Sequence, residues 1–259
     1  MDIRAYNRKA WDKQVEFGNR WTVPVNQDVI RKAKEGDWQI ILTPIKPVPL
    51  NWFPEIKGLK VLCLASGGGQ QAPVLAAAGA NVTLLDNSPR QLAQDSMVAE
   101  RDGLDMKIIE GDMADLSIFP DASFGLIVHP ISNLFTPDVR TVWKEAYRVL
   151  SGGGVLLAGF TNPAIFLFDY QLVEQEGILQ VKYVLPYSDE QSLSADARQT
   201  YLDDHSPMEF SHTLEDQIGG QIDAGFSISG LFEDTHENVV EDPLAKYMPL
   251  FICTRAVKS

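Results

Sequence analysis

Apolar positions along this chain follow two periods, and the middle of the chain switches between them repeatedly. Short apolar runs bounded by glycine or acidic residues read as buried strands at 61–64, 81–85, 106–110, 124–129 and 155–160. Between them lie helix formers. Residues 72–78 carry Pro73 in the first turn, where a missing N–H is harmless, and Gly79 ends them. A second helix follows Ser88 as N-cap and Pro89, runs to about residue 101 and stops at Gly103. A third starts with Thr136 as N-cap, then Pro137 and Asp138, and places Val139, Val142, Trp143, Ala146, Val149 and Leu150 on one stripe. The triplet Gly152, Gly153 and Gly154 turns the chain into the fifth strand. Strand and helix alternating in this way predict a largely parallel sheet with helices on both faces.

The flanks read differently. Residues 3–17 suit an amphipathic helix with Ile3, Tyr6, Ala10, Lys13 and Phe17 on one stripe and Trp11 beside it. A short helix begins at Asn26 or Asp28 and includes Val29, Ile30 and Ala33. Pro44, Pro47, Pro49 and Pro54 then forbid long helix and give an extended connector. Trp11, Trp21, Trp38 and Trp52 all fall in this segment. They either glue a cap onto the core or belong to a lid, with Tyr6 or Trp21 closing over a ligand. Residues 161–211 interrupt the alternation: 163–173 are aromatic and apolar, 178–185 suit a strand, and 188–204 are polar and acidic. An excursion directly after the fifth strand lies over the carboxyl ends of the sheet, so it is expected to cover an acceptor, with Asn162, Phe166, Tyr187 and His205 as unranked contacts. Regularity returns in a helix at 213–224, ended by Gly225, and strands at 226–232 and 247–256. The acidic loop 233–242 has no helical crossover, which predicts an antiparallel pair.

The chemistry sits at the strand ends. Gly67-x-Gly69-x-x-Ala72 opens a helix immediately after a strand, a spacing that lets bare backbone approach a nucleotide-like ligand. Asp86 ends the second strand about 20 residues later, where a carboxylate accepts both hydroxyls of a ribose. Asp112 and Met113 follow the third strand and suit an adenine, the acid accepting the exocyclic amine and the thioether covering the ring. His129 ends the fourth strand, on the side where a reaction would occur. It either takes a proton from an acceptor or only hydrogen-bonds and packs there. The four histidines show no metal spacing.

Taken in order, Gly67-Gly68-Gly69, Asp86-Asn87-Ser88, Gly111-Asp112-Met113 and Phe119-Pro120-Asp121-Ala122-Ser123-Phe124 resemble the motifs of class I S-adenosylmethionine-dependent methyltransferases, and within these the small bacterial enzymes with a type 11-like domain. The likeness covers residues 56–160 well. It implies S-adenosyl-L-methionine as cofactor, with Ala65, Ser66, Gly67, Gly69, Asp86, Asn87, Asp112, Met113 and His129 around it. It also implies an α/β, Rossmann-like, doubly wound sheet of seven mostly parallel strands with a C-terminal antiparallel strand. In these terms residues 1–55 form an N-terminal helical cap, 56–160 the cofactor-binding core, 161–211 an acceptor-binding insertion after the fifth strand, and 212–259 the completion of the sheet. Two positions depart from the family: an acidic residue is usual where Cys63 stands, and a glycine where Ala65 stands.

Composition narrows the partners. A net charge of −13 over 259 residues argues against nucleic acid, whose phosphates need clustered Lys and Arg, and against an anionic membrane surface. No segment has the length of a membrane span or the pattern of a signal peptide. Cys63 and Cys253, the only cysteines, lie in apolar runs and read as reduced core residues of a cytoplasmic protein. The expected activity is methyl transfer to a small soluble acceptor. A nicotinamide-dependent oxidoreductase would use the same glycine turn and Asp86, yet no second nucleotide-binding half follows. A cofactor-binding relative without chemistry is the third reading. Oligomeric state leaves no mark on the sequence.

Overall fold

The strands β1 (Lys60–Leu64), β2 (Asn81–Asp86), β3 (Met106–Glu110), β4 (Phe124–His129), β5 (Leu150–Thr161), β6 (Phe226–Asp234) and β7 (Phe251–Lys258) form one sheet in the order β3-β2-β1-β4-β5-β7-β6. The computed structural model describes residues 1–169, 172–173, 176–236 and 243–259. Strands β1 to β5 run parallel, and β7 inserts antiparallel between β5 and β6. The expected α/β architecture is therefore present.

Side-chain alternation fixes the sheet between two cores. On β1, Val61 and Cys63 join one cluster while Leu62 and Leu64 join the other; on β5, Val155 and Leu157 oppose Leu156 and Ala158 in the same way. All eight are buried, and each large side chain removed from water contributes about 1.5–3 kcal/mol. The first cluster is covered by α2 (Gln27–Lys34), α3 (Gln71–Ala77) and α4 (Pro89–Asp102), and the second by α5 (Val139–Val149). The caps of α4 fall as the sequence predicts, with Ser88 accepting from Gln91 N–H and Gly103 left-handed. The N-cap of α5 is Asp138, two residues later than expected, because its carboxylate reaches Thr141 N–H. The glycine triplet is not a turn. It lies within β5, as a bulge between the Phe124–Leu150 and Leu126–Val155 pairs.

The flanking segments pack onto this frame. In α1 (Ile3–Glu16) the buried residues are Asn7 and Ala10, whereas Phe17 is exposed, so the inward stripe is rotated from the apolar one predicted. Two tryptophans tie the segment to the rest of the fold, Trp11 meeting Phe135 and Trp52 meeting Phe232 with ring centroids 5.0 and 5.5 Å apart, while Trp38 meets Phe53 of the same segment at 5.1 Å. Gly159 of β5 lies directly under the carbonyl of Leu42, where a Cβ would collide with it, so only glycine lets the connector lie flat on the sheet. Residues 163–167 form a 3₁₀ turn and residues 189–192 and 195–203 short helices. The strand expected at 178–185 reduces to one bridge between Phe168 and Val181. The helix expected at 213–224 opens with a π turn over Glu215–Gly219 and closes at left-handed Gly225. Residues 237–242 of the expected acidic loop lie outside the described residues. Among the described residues no helix is long and apolar enough to cross a membrane.

Candidate active site

The loop after β1 is held by carboxylates. Ala65 turns it with φ 46°, its N–H donating to Leu85 O at 2.7 Å. Gly67 N–H donates to Asp86 Oδ2 and Ser88 N–H to Asp86 Oδ1, each at 2.9 Å. Gly68 and Gly69, both left-handed, donate their N–H groups to one oxygen of Asp95, again at 2.9 Å. Asp95 arrives from the second turn of α4 and is fully buried, and its Oδ1 has no partner among the described residues. Burial pushes its pKa up to about 8 against the pull of the two glycine amides. Sequence reasoning missed this residue. The signal was present: Asp95 lies three residues from both Leu92 and Val98, on the buried stripe of α4.

That arrangement decides between ligands. A pyrophosphate needs the loop amides free, and here all three glycine N–H groups already donate to the carboxyl groups of Asp86 and Asp95. An adenosyl group bearing a sulfonium cation meets no such conflict. Asp86 uses one site on each oxygen and keeps capacity for two hydroxyl donors. Burial raises its pKa, opposed by the N–H groups of Ser88 and Gly67. Cys63 is buried on β1 where the family resemblance expects an acid, and its thiol is pushed up by burial and by the nearby charge of Asp95. A carboxylate therefore reaches the glycine loop from α4 and not from β1.

Six of the expected cofactor residues, Ala65, Gly67, Asp86, Asn87, Asp112 and Met113, border one cavity of about 2220 Å³. This exceeds the roughly 300–1,000 Å³ of a pocket for one small ligand. Asp112 Oδ1 accepts from Ala114 N–H at 2.9 Å and Oδ2 lies 3.7 Å from Arg4 Nε, while the Asn87 amide donates to Arg4 O. The start of α1 thus lies across the tips of β2 and β3. Ser66 and Gly69 do not border the cavity: Ser66 Oγ donates to Gln71 Oε1, and Gly69 packs against Pro24.

Of the two readings of His129, the structure shows the residue that hydrogen-bonds and packs, and not one beside the cofactor. Its ring does not open into the cavity but lies fully buried, with Nδ1 2.8 Å from Leu64 O and its edge to Trp143 at 5.8 Å. Burial lowers its pKa to about 4, so the imidazole is neutral at physiological pH. The side chain of a terminal strand residue follows the pleat, and here the pleat turns it toward α5.

The far wall comes from the insertion. Phe166 and Tyr187 border the cavity and stack at 5.4 Å. Asn162 turns away to Pro249 O, and exposed His205 stands off the cavity. Trp21 borders the cavity, whereas the Tyr6 hydroxyl donates to Ser206 O at 2.9 Å and pins α1 to the insertion. Asn7 does the same more firmly: its amide donates to Phe135 O and Met208 O and accepts from Met208 N–H. Among the described residues no three His, Cys, Asp or Glu are grouped to hold a metal ion.

Comparison with known proteins agrees with this geometry. A family model described as a methyltransferase domain matches residues 62–158. The chain is 56% identical over 254 residues to a Bacillus subtilis protein named uncharacterized methyltransferase YbaJ, covering 98% of each. A sterol 24-C-methyltransferase of Aspergillus fumigatus is 36% identical over 102 residues, which is 38% of this chain and 27% of that enzyme. Among solved structures, an S-adenosylmethionine-dependent methyltransferase from Mesorhizobium loti superposes with a TM-score of 0.62 at 20% identity, covering 80% of this chain and 94% of its own; at that identity the likeness is one of fold. The chain belongs to the S-adenosylmethionine-dependent methyltransferases. It is an enzyme of that class, with S-adenosyl-L-methionine as its cofactor.

Proposed function

We propose that this methyltransferase acts on a small molecule bound between the strand tips and the insertion, and not on nucleic acid or a membrane surface. The observation that carries the reading is one continuous cavity, bordered on one side by Gly67, Asp86 and Asp112 and on the other by Phe166 and Tyr187. In it Asp86 holds the ribose hydroxyls, Asp112 the exocyclic amine, and Met113 covers the adenine. Ala65, Gly67 and Asn87 line the adenosyl path, while Ser66 and Gly69 shape the loop from behind. Residues 1–55 act as the cap and 161–211 as the acceptor cover. Bound there, the cofactor supplies an electrophilic methyl group on a sulfonium. The protein's part is to orient an acceptor in line with that methyl and to exclude water. His129, buried away from the cavity, has no part in proton transfer under this reading. A reducing compartment, the cytoplasm, suits two buried unpaired cysteines.

Calorimetry with S-adenosylmethionine, S-adenosylhomocysteine and NAD tests the cofactor side: the first two bind and NAD does not. Asp86→Ala weakens S-adenosylmethionine binding by about 10- to 100-fold, as expected for lost hydrogen bonds to a charged group. An unchanged affinity in that variant removes the ribose assignment.

A further inference from the structure

The insertion's half of the cavity has a charge and ring content of its own. Residues 161–211 contain three basic side chains, Lys182, Arg198 and His205, and none of them borders the cavity. Lys182 Nζ donates to Asp169 Oδ2 at 2.8 Å, Arg198 donates to Glu190 O at 3.1 Å, and His205 is exposed outside it. The insertion's charged residues that do border the cavity are all acidic, and five aromatic rings stand among its apolar and neutral polar ones. Tyr183 meets Tyr187 edge-on at 4.9 Å, beside the Phe166–Tyr187 stack.

Four carboxylates of this segment border the same space, Asp169, Asp189, Asp204 and Glu209, and two of them differ in state. Asp189 is satisfied, accepting from Tyr187 Oη at 2.6 Å and from Glu209 N–H at 2.7 Å. The Glu209 side chain borders the cavity half-buried, with no hydrogen-bond or ion-pair partner among the described residues. Burial and the neighbouring Asp189 push its pKa up to about 8. Its oxygens keep contact with the solvent of the cavity, and a cationic ligand there offsets the repulsion between Glu209 and Asp189.

The same α1 turn joins this wall to the strand tips. Arg4 contacts Asn87 and Asp112, and three residues on, Asn7 holds Met208, the neighbour of Glu209. At 1.5 Å per residue the two anchors lie roughly 5 Å apart along the helix.

We propose that this enzyme methylates an amine, binding it as the ammonium among Phe166, Tyr183 and Tyr187, with Glu209 as the group that takes its proton. The proposal rests on the small-molecule reading above. Aromatic rings attract an ammonium through their π faces, as the Tyr183 ring already holds Lys182 Nζ at 5.1 Å, and no basic side chain of residues 161–211 borders the cavity. The ammonium passes one proton to Glu209. Its freed lone pair forms the N–C bond as the methyl–sulfur bond breaks, and sulfur keeps that electron pair. The products are a methylated ammonium and a neutral thioether, and Glu209 releases its proton to solvent. The titratable group beside Glu209 is Asp189; of the hydroxyls near Asp189, that of Tyr187 donates to it and that of Tyr6 donates to Ser206 O.

Binding to the S-adenosylhomocysteine-loaded full chain tests the class with phenethylamine and benzylamine against phenethyl alcohol and phenylacetate. The amines bind at least tenfold tighter, and in the presence of S-adenosylmethionine only they release S-adenosylhomocysteine. Glu209→Gln lowers amine turnover about 100-fold and flattens the rise of rate with pH, while its affinity for S-adenosylmethionine stays within twofold, which shows that it is folded. Amines that bind no better than the alcohol or the carboxylate overturn the proposal. So does a Glu209→Gln variant with turnover within threefold of wild type. A wild-type chain that fails to bind S-adenosylmethionine counts instead against the methyl-transfer reading itself.

Discussion

The two walls of the cleft are built by different means. At the strand tips, the glycine loop is set by residues close in sequence: Gly67 is 19 positions from its partner Asp86, and Gly68 is 27 from Asp95. On the opposite wall the anchoring bonds join chain positions about 200 residues apart, as in Asn7 with Met208 and Tyr6 with Ser206. Local closure makes the cofactor wall a property of one strand–helix–strand unit. The insertion's own ring and carboxylate contacts are local too, and what needs the two ends of the fold is its seating on α1. A cofactor shared by many enzymes suits the first construction, and an acceptor particular to one enzyme suits the second.

The strongest way to break this contrast is at Asn7. Asn7→Ala leaves two carbonyls and one N–H without their buried partner and costs about 3 kcal/mol. Hydrogen exchange then rises in residues 195–211 and the first turns of α1, while the glycine loop stays protected. Equal loosening of both walls removes the distinction.

A smaller effect sharpens the cofactor wall. The folded Asp95 carboxyl titrates at about 8, far above an unfolded aspartate, so the folded chain binds the extra proton between about pH 4 and 8. Its stability contribution therefore falls as pH rises through that window. Asp95→Asn keeps an acceptor for the glycine amides and removes the titration. The variant is expected to be more stable than wild type by about 1–2 kcal/mol at pH 8.5 and no more stable near pH 4. Urea midpoints at the two pH values check this, and a pH-independent difference contradicts it.

The smallest change is at Ala65, whose φ of 46° suits glycine. Ala65→Gly relieves the left-handed strain and stabilises the loop by up to about 1 kcal/mol. Thermal melts measure it, and a loss of stability shows that the methyl packs usefully.

The sheet was legible because period-2 burial on both faces leaves continuous apolar runs, and β1, β2 and β4 carried them. So were the residues at the ends of β1, β2 and β3, because strand ends in a parallel sheet point to one rim. Asp95 was missed because a buried acid on a helix reads as a solvated one until its partners are known. His129 was misplaced because strand-end position is visible in sequence but the pleat's direction is not. Asn7 was overlooked for a related reason: a polar residue becomes core only when distant carbonyls arrive to satisfy it.

By itself the sequence determined the order of strands and helices and the glycine and acid motifs at their ends, since these follow from local periodicity and backbone sterics. Tertiary structure decided which carboxylate grips the glycine loop, which way His129 turns, and what lines the acceptor wall. Those outcomes depend on contacts between segments far apart in the chain, whose hydrogen-bond partners no local pattern specifies.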